Sequence, residues 1–165
     1  MNRDTGIILA ICVLAILVGG ILYLGATPDS TDSTSTEEVA FSVLSAGGTA
    51  LEMREQKNYR VLNEEHFREV WDLAYGEGVP MPSVDFTVYE VLAIFDGERM
   101  TGGYEVGVRR IVDVGTVREV SIVHTAPGAS CITTQAFTSP FQMVKVPKTD
   151  NSIDRKDVNA TVACE

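Results

Sequence analysis

Hydrophobic and polar positions divide the chain into four zones. From Gly6 to Ala26 it reads GIILAICVLAILVGGILYLGA, without a charge. A helix needs about 20 apolar residues to cross a hydrocarbon core, so residues 1–26 are expected to form an N-terminal transmembrane anchor, with 7–24 in the membrane. The run exceeds the roughly 7–15 apolar residues of a signal peptide, which favours retention over cleavage. Thr27 to Glu38, TPDSTDSTSTEE, has four acids and no base. Such a stretch buries too little apolar surface to offset the entropy of ordering, so 27–38 reads as a self-repelling tether.

The third zone, 39–150, carries a domain-sized pattern. Val39 to Leu44 reads as a first strand, and ALEMREQKNYRVL as an exposed hairpin leading to a short strand at Tyr59–Leu62. NEEHFREVWDLAYGEG predicts the one clear helix. Asn63 suits the N-cap, Glu64 and Glu65 favour the positive end of the dipole, and Gly76 suits the stop. Phe67, Val70, Trp71 and Ala74 fall on one apolar stripe, which marks them as core, and His66 lies off it. VYEVLAIFDG is almost continuously apolar, the signature of a central strand covered on both faces. Beyond it, Tyr104, Val106 and Val108 alternate with Glu105, Gly107 and Arg109. The alternation slips at Arg109-Arg110, which predicts a bulge. Val117–Thr125 and Phe141–Val146 read as further strands, separated by a long irregular loop, and 151–165 as a C-terminal tail. The expected fold is α+β: a single transmembrane helix, then a small, mainly antiparallel sheet domain with one packed helix.

Charge sharpens this picture. The net charge of −10 and the scattered basic residues give no phosphate-binding footprint, so a nucleic-acid partner is excluded. Arg3 before the apolar run, and the absence of basic residues after it, orient the N-terminus inside and the domain outside by the positive-inside rule. Cys12 falls in the apolar run, leaving Cys131 and Cys164. In an oxidising compartment these most simply form a disulfide; free thiols or a metal pair are the alternatives. No metal site is expected, since His66 and His124 stand at no ligand spacing, and nothing indicates a cofactor.

Catalytic chemistry is hard to assemble from these residues. No G-x-S-x-G elbow occurs. Cys131 with His124 is the one nucleophile–base pairing on offer, and a disulfide would silence it. GERMTGG has no following lysine or helix and does not cradle phosphate. The chain therefore reads as a non-enzyme. Asn159-Ala-Thr161 is a formal glycosylation sequon.

Three stretches, NYRVLNEEHFREVWDLAYG, VDFTVYEVLAIFDGERMTGGYEVGV and APGASCITTQAFTSPFQMVKVPK, resemble the C-terminal domain of the PrcB family of protease-complex subunits. The resemblance runs from about Phe41 to Lys148, and its most specific part is Gly97 to Tyr104. It implies a non-catalytic accessory or stabilising subunit of an exported protease. A transmembrane anchor in place of a lipoprotein signal departs from the family's namesake. Thr101-Gly102-Gly103-Tyr104 is also similar to the Thr-Gly-aromatic loop of chagasin-like protease inhibitors, which implies a tethered inhibitor as the alternative, beside a general surface-binding module. Two readings of the loop stand. Its glycines shape a turn with Tyr104 packed inward beside Val106 and Val108, or Arg99, Thr101, Gly102, Gly103 and Tyr104 form a partner-binding surface.

Overall fold

The computed structural model describes residues 35–164. The expected anchor over 1–26 and most of the tether lie outside them, and among the described residues no helix is long and apolar enough to cross a membrane. Helix α1, Glu64–Tyr75, forms where its caps place it. The Asn63 side chain accepts from the His66 N–H at 2.9 Å, Gly76 closes the last turn at φ 86°, and Phe67, Val70, Trp71 and Ala74 are all buried.

Eight strands lie among the described residues: β1 Thr36–Glu38, β2 Ser42–Gly47, β3 Gln56–Val61, β4 Tyr89–Asp96, β5 Glu105–Val114, β6 Val117–Pro127, β7 Phe141–Pro147 and β8 Ser152–Val162. They form two four-stranded sheets, ordered β1–β5–β6–β8 and β2–β7–β4–β3. Pairing is antiparallel except between β6 and β8, which run parallel. The domain is thus mainly antiparallel with one helix, as expected, but the single sheet becomes two.

Four local expectations need correction. The last residues of the acidic tether, Thr36–Glu38, pair with Val112–Val114 as β1. The first strand expected at 39–44 begins at Ser42 and runs to Gly47. The stretch expected as an exposed hairpin buries Ala50 and Met53 against the helix, and its strand starts at Gln56. The tail holds an eleven-residue strand, β8, which is mostly exposed and carries no hydrophobic alternation to reveal it. The predicted bulge is present, as a register shift between Val108 and Arg110.

The continuous apolar run of β4 now has its physical reason. Val91, Ala93 and Phe95 pack with α1, Phe141 and Met143 in one core. Leu92 and Ile94 face the other way, into a second core with Val120, Ile122, Val144 and Val146 between the sheets. A strand buried on both faces has no polar face to show.

Across that second core β4 and β6 lie face to face, with charged residues at both ends. At one end Glu90 is fully buried and meets the buried Arg118 at 3.4 Å and Arg60 at 2.8 Å. Arg118 also grips Asp113 through two bonds of 2.8 Å and donates to the Pro147 carbonyl at 2.6 Å. At the other end Asp96 meets His124 at 2.6 Å. Buried charges persist only when paired and hydrogen-bonded, and each of these is.

A candidate docking platform built from two loops

Asp96 ends β4, and the chain turns at Gly97 (φ 76°) into the loop carrying the candidate residues. Arg99 folds back onto Asp96 with a two-pronged contact, Nε–Oδ2 2.8 Å and Nη2–Oδ1 2.9 Å. That hydrogen bond raises the Arg99 pKa further above its already high value. The guanidinium lies 5.3 Å from the ring centre of the half-buried Tyr104, a cation–π distance.

The loop does not stand alone. Arg99 and Thr138 exchange both backbone hydrogen bonds, at 2.7 and 2.9 Å, Thr138 Oγ1 donates to the Thr101 carbonyl at 2.8 Å, and the Gly102 N–H donates to Thr134 at 3.0 Å. Loop 97–104 is therefore zipped to loop 128–140. Both glycines are required by this contact. Gly102 is buried, and a Cβ there would run into Thr134 Oγ1; Gly103 has φ 88° and lies against Pro127 and Thr133. The glycines sit where the loop packs against a second loop.

Cys131 of that second loop is bonded to Cys164, with their Cα atoms 5.0 Å apart. The expected disulfide is thus present. Beside it Gly128 N–H donates to the Val162 carbonyl at 2.8 Å, so the end of β8 is stitched to the loop twice. A groove of about 300 Å³ runs between the stitched segments, bordered by Gly103, Glu105, Pro127, Ile132, Val162 and the disulfide. Ile132 at its border is fully exposed, and elsewhere on the two loops Met100 (78 % exposed) and Phe137 (64 %) also face solvent. Of the sequence candidates, Arg99, Thr101, Gly102, Gly103 and Tyr104 are brought together, chiefly as scaffold. Ile132 and Phe137 were missed because apolar residues in an irregular loop have no periodicity to reveal them.

Asp96 links this platform to the opposite sheet. His124 contacts Asp96 through Nδ1 at 2.6 Å and Asp157 of β8 through Nε2 at 3.0 Å, and Arg155 holds Asp157 at 2.7 Å. Both imidazole nitrogens are engaged, and the Cys131 sulfur is bonded to Cys164. The two groups do not form a nucleophile–base pair. Among the described residues no cluster of His, Cys, Asp or Glu is placed to hold a metal ion.

Fold and site together define a disulfide-braced two-sheet domain that presents a rigid, partly apolar loop surface. Residues 91–147, from Val91 within β4 to the end of β7 and including both platform loops, match the family model described as PrcB C-terminal. No curated protein and no solved structure matches the chain.

Proposed function

We propose that the protein is a non-catalytic accessory subunit of an exported protease complex, held to the outer face of a membrane by Gly6–Ala26 and docking through the two-loop platform. The observation that carries this reading is that the PrcB C-terminal match contains both loops whole. The family is associated with a protease complex, and an accessory role suits a surface of outward apolar side chains on a braced scaffold. The Cys131–Cys164 bond suits an oxidising compartment outside the cell.

A tethered inhibitor is the second reading. Met100 favours it, as a large exposed side chain at the tip of a loop that its partners hold rigid, the arrangement that enters a cleft without an ordering cost.

The full-length protein, crosslinked in its native membrane and purified, tests the proposal by mass spectrometry of what accompanies it. An exported protease should be enriched with the wild type and lost with Met100→Asp and Ile132→Asp, substitutions at exposed positions that leave the scaffold intact. Protease activity preserved or raised in the complex supports the accessory role, and stoichiometric loss supports inhibition. Equal enrichment with the variants moves the contact off the platform. No protease in any sample ends the family-based reading.

A further inference from the structure

Strand β8 is the outer strand of its sheet, paired only with β6 and exposed along most of its length. A long exposed edge offers unpaired backbone groups to any passing strand, and native proteins guard such edges with charge or bulk. The first half of β8 is guarded: Asp154, Arg155, Lys156 and Asp157 follow one another. The second half, Val158 to Val162, has no charge, and Val158 and Val162 are 43 % and 52 % exposed. Within this unguarded half Asn159 is followed by Ala160 and Thr161.

We infer that Asn159 is an N-glycosylation site, and that its glycan covers the charge-free half of the β8 edge. Asn159 and Thr161 are both exposed, and residues two apart on a strand lie on one face. An enzyme can therefore reach the amide and the hydroxyl together. Among the described residues the Asn159 side chain is in no hydrogen bond, so no contact of the fold is lost by modification. The donor is an oligosaccharide carried on a polyprenyl phosphate. The bond from Asn159 Nδ2 to the sugar C1 forms as the C1–O bond to the lipid phosphate breaks, and the amide proton leaves with that phosphate. The inference rests on the export reading above, because the Asn-X-Thr motif is an acceptor only in exported chains.

The test uses full-length protein purified from the cells that make it. Reduction and cleavage after Lys156 release the peptide Asp157–Glu165, whose mass should be raised by a glycan that fragmentation places on Asn159. The added mass should vanish in Asn159→Gln and equally in Thr161→Ala, which keeps the asparagine. An unmodified wild-type peptide overturns the site. Digestion of intact cells with an external protease separates the two failures: an accessible domain with unmodified Asn159 sinks the site alone, and an inaccessible domain sinks the export reading as well. In the membrane, crosslinking should capture several-fold more dimer of Asn159→Gln than of the wild type, and Val158→Lys added to that variant should reverse the gain. A glycan present without this rise would overturn its role as an edge guard.

Discussion

At the residue scale the platform depends on positions with no room for a side chain. Gly102→Ala should destabilise by about 1–3 kcal/mol, the usual cost of forcing atoms into a packed site, since its Cβ would displace the Thr134 hydroxyl. Met100→Ala, at an outward position, should stay within about 0.5 kcal/mol of the wild type. Thermal unfolding of the full-length protein measures both, and equal losses would mean that Met100 is part of the packing. Asn63→Ala removes the cap on the His66 N–H and should cost about 1 kcal/mol. These residues differ in how visible they are in sequence. Asn63, Gly76 and the apolar stripe of α1 announce themselves because helix signals are local. Glu90 and Arg118 do not, since a single charge inside an apolar strand is read as an interruption until the facing strand is known.

At the element scale, β8 was hidden for a related reason. Its inward positions are Ile153, Arg155 and Asp157, and only one of them is apolar. It is held by backbone pairing with β6, by ion pairs and by the disulfide, none of which writes a hydrophobic alternation into the sequence. β4 is legible from its run of apolar residues, although the number of sheets is not, because that run says only that both faces are covered. Opening Cys131–Cys164 in a Cys131→Ser, Cys164→Ser variant should cost about 3–4 kcal/mol by the chain-entropy model for a loop of this size and loosen loop 128–140. Hydrogen exchange should then show faster opening of Gly128, Cys131 and Gly102 than of β4. Uniform protection across all of them would mean that the disulfide does not brace the platform.

The same scale carries a pH dependence. Hydrogen bonding to Arg118 holds the Asp113 carboxyl below the usual carboxylate range, with the Arg118 charge adding to it against the opposing effect of burial. A carboxyl that binds its proton less readily in the folded state than in the unfolded one contributes stability above its unfolded pKa, and loses it as pH falls through the folded pKa. Stability should therefore fall as the pH drops below about 4. Asp113→Asn should be less stable at neutral pH and show a shallower acid decline, measured as unfolding midpoints between pH 7 and 2. An unchanged slope would place the acid sensitivity elsewhere.

At the scale of the whole molecule, the one helix and two sheets of the described residues make three layers around two cores, with β4 and β7 contributing to both. Removing the shared acid of the buried cluster should be severe: Glu90→Ala takes a fully buried carboxylate from both Arg60 and Arg118 and should cost about 3–5 kcal/mol. Arg60→Ala should cost less, because Arg118 still neutralises Glu90 and solvent reaches that edge. A reversed ranking in denaturant unfolding would show that Arg60 is the principal partner. The family resemblance, the helix, the bulge and the disulfide were all readable from residues close in sequence or distinctive in type. The two-sheet division and the second platform loop were not, since both depend on which distant segments meet.

The charged pairs at the two ends of the β4–β6 face have a mechanical meaning. If the sheets slid by one residue pair, Glu90 would leave Arg118 and Asp96 would leave His124 together, although Glu90 would keep Arg60 and Asp96 would keep Arg99. Both ends therefore favour one seat of the sheets over its neighbours. Asp96 belongs to that seat and also grips Arg99 at the base of the loop that carries Met100. The loop that carries Met100 is thereby joined to both sheets through one chain of polar contacts, Arg99 to Asp96 to His124.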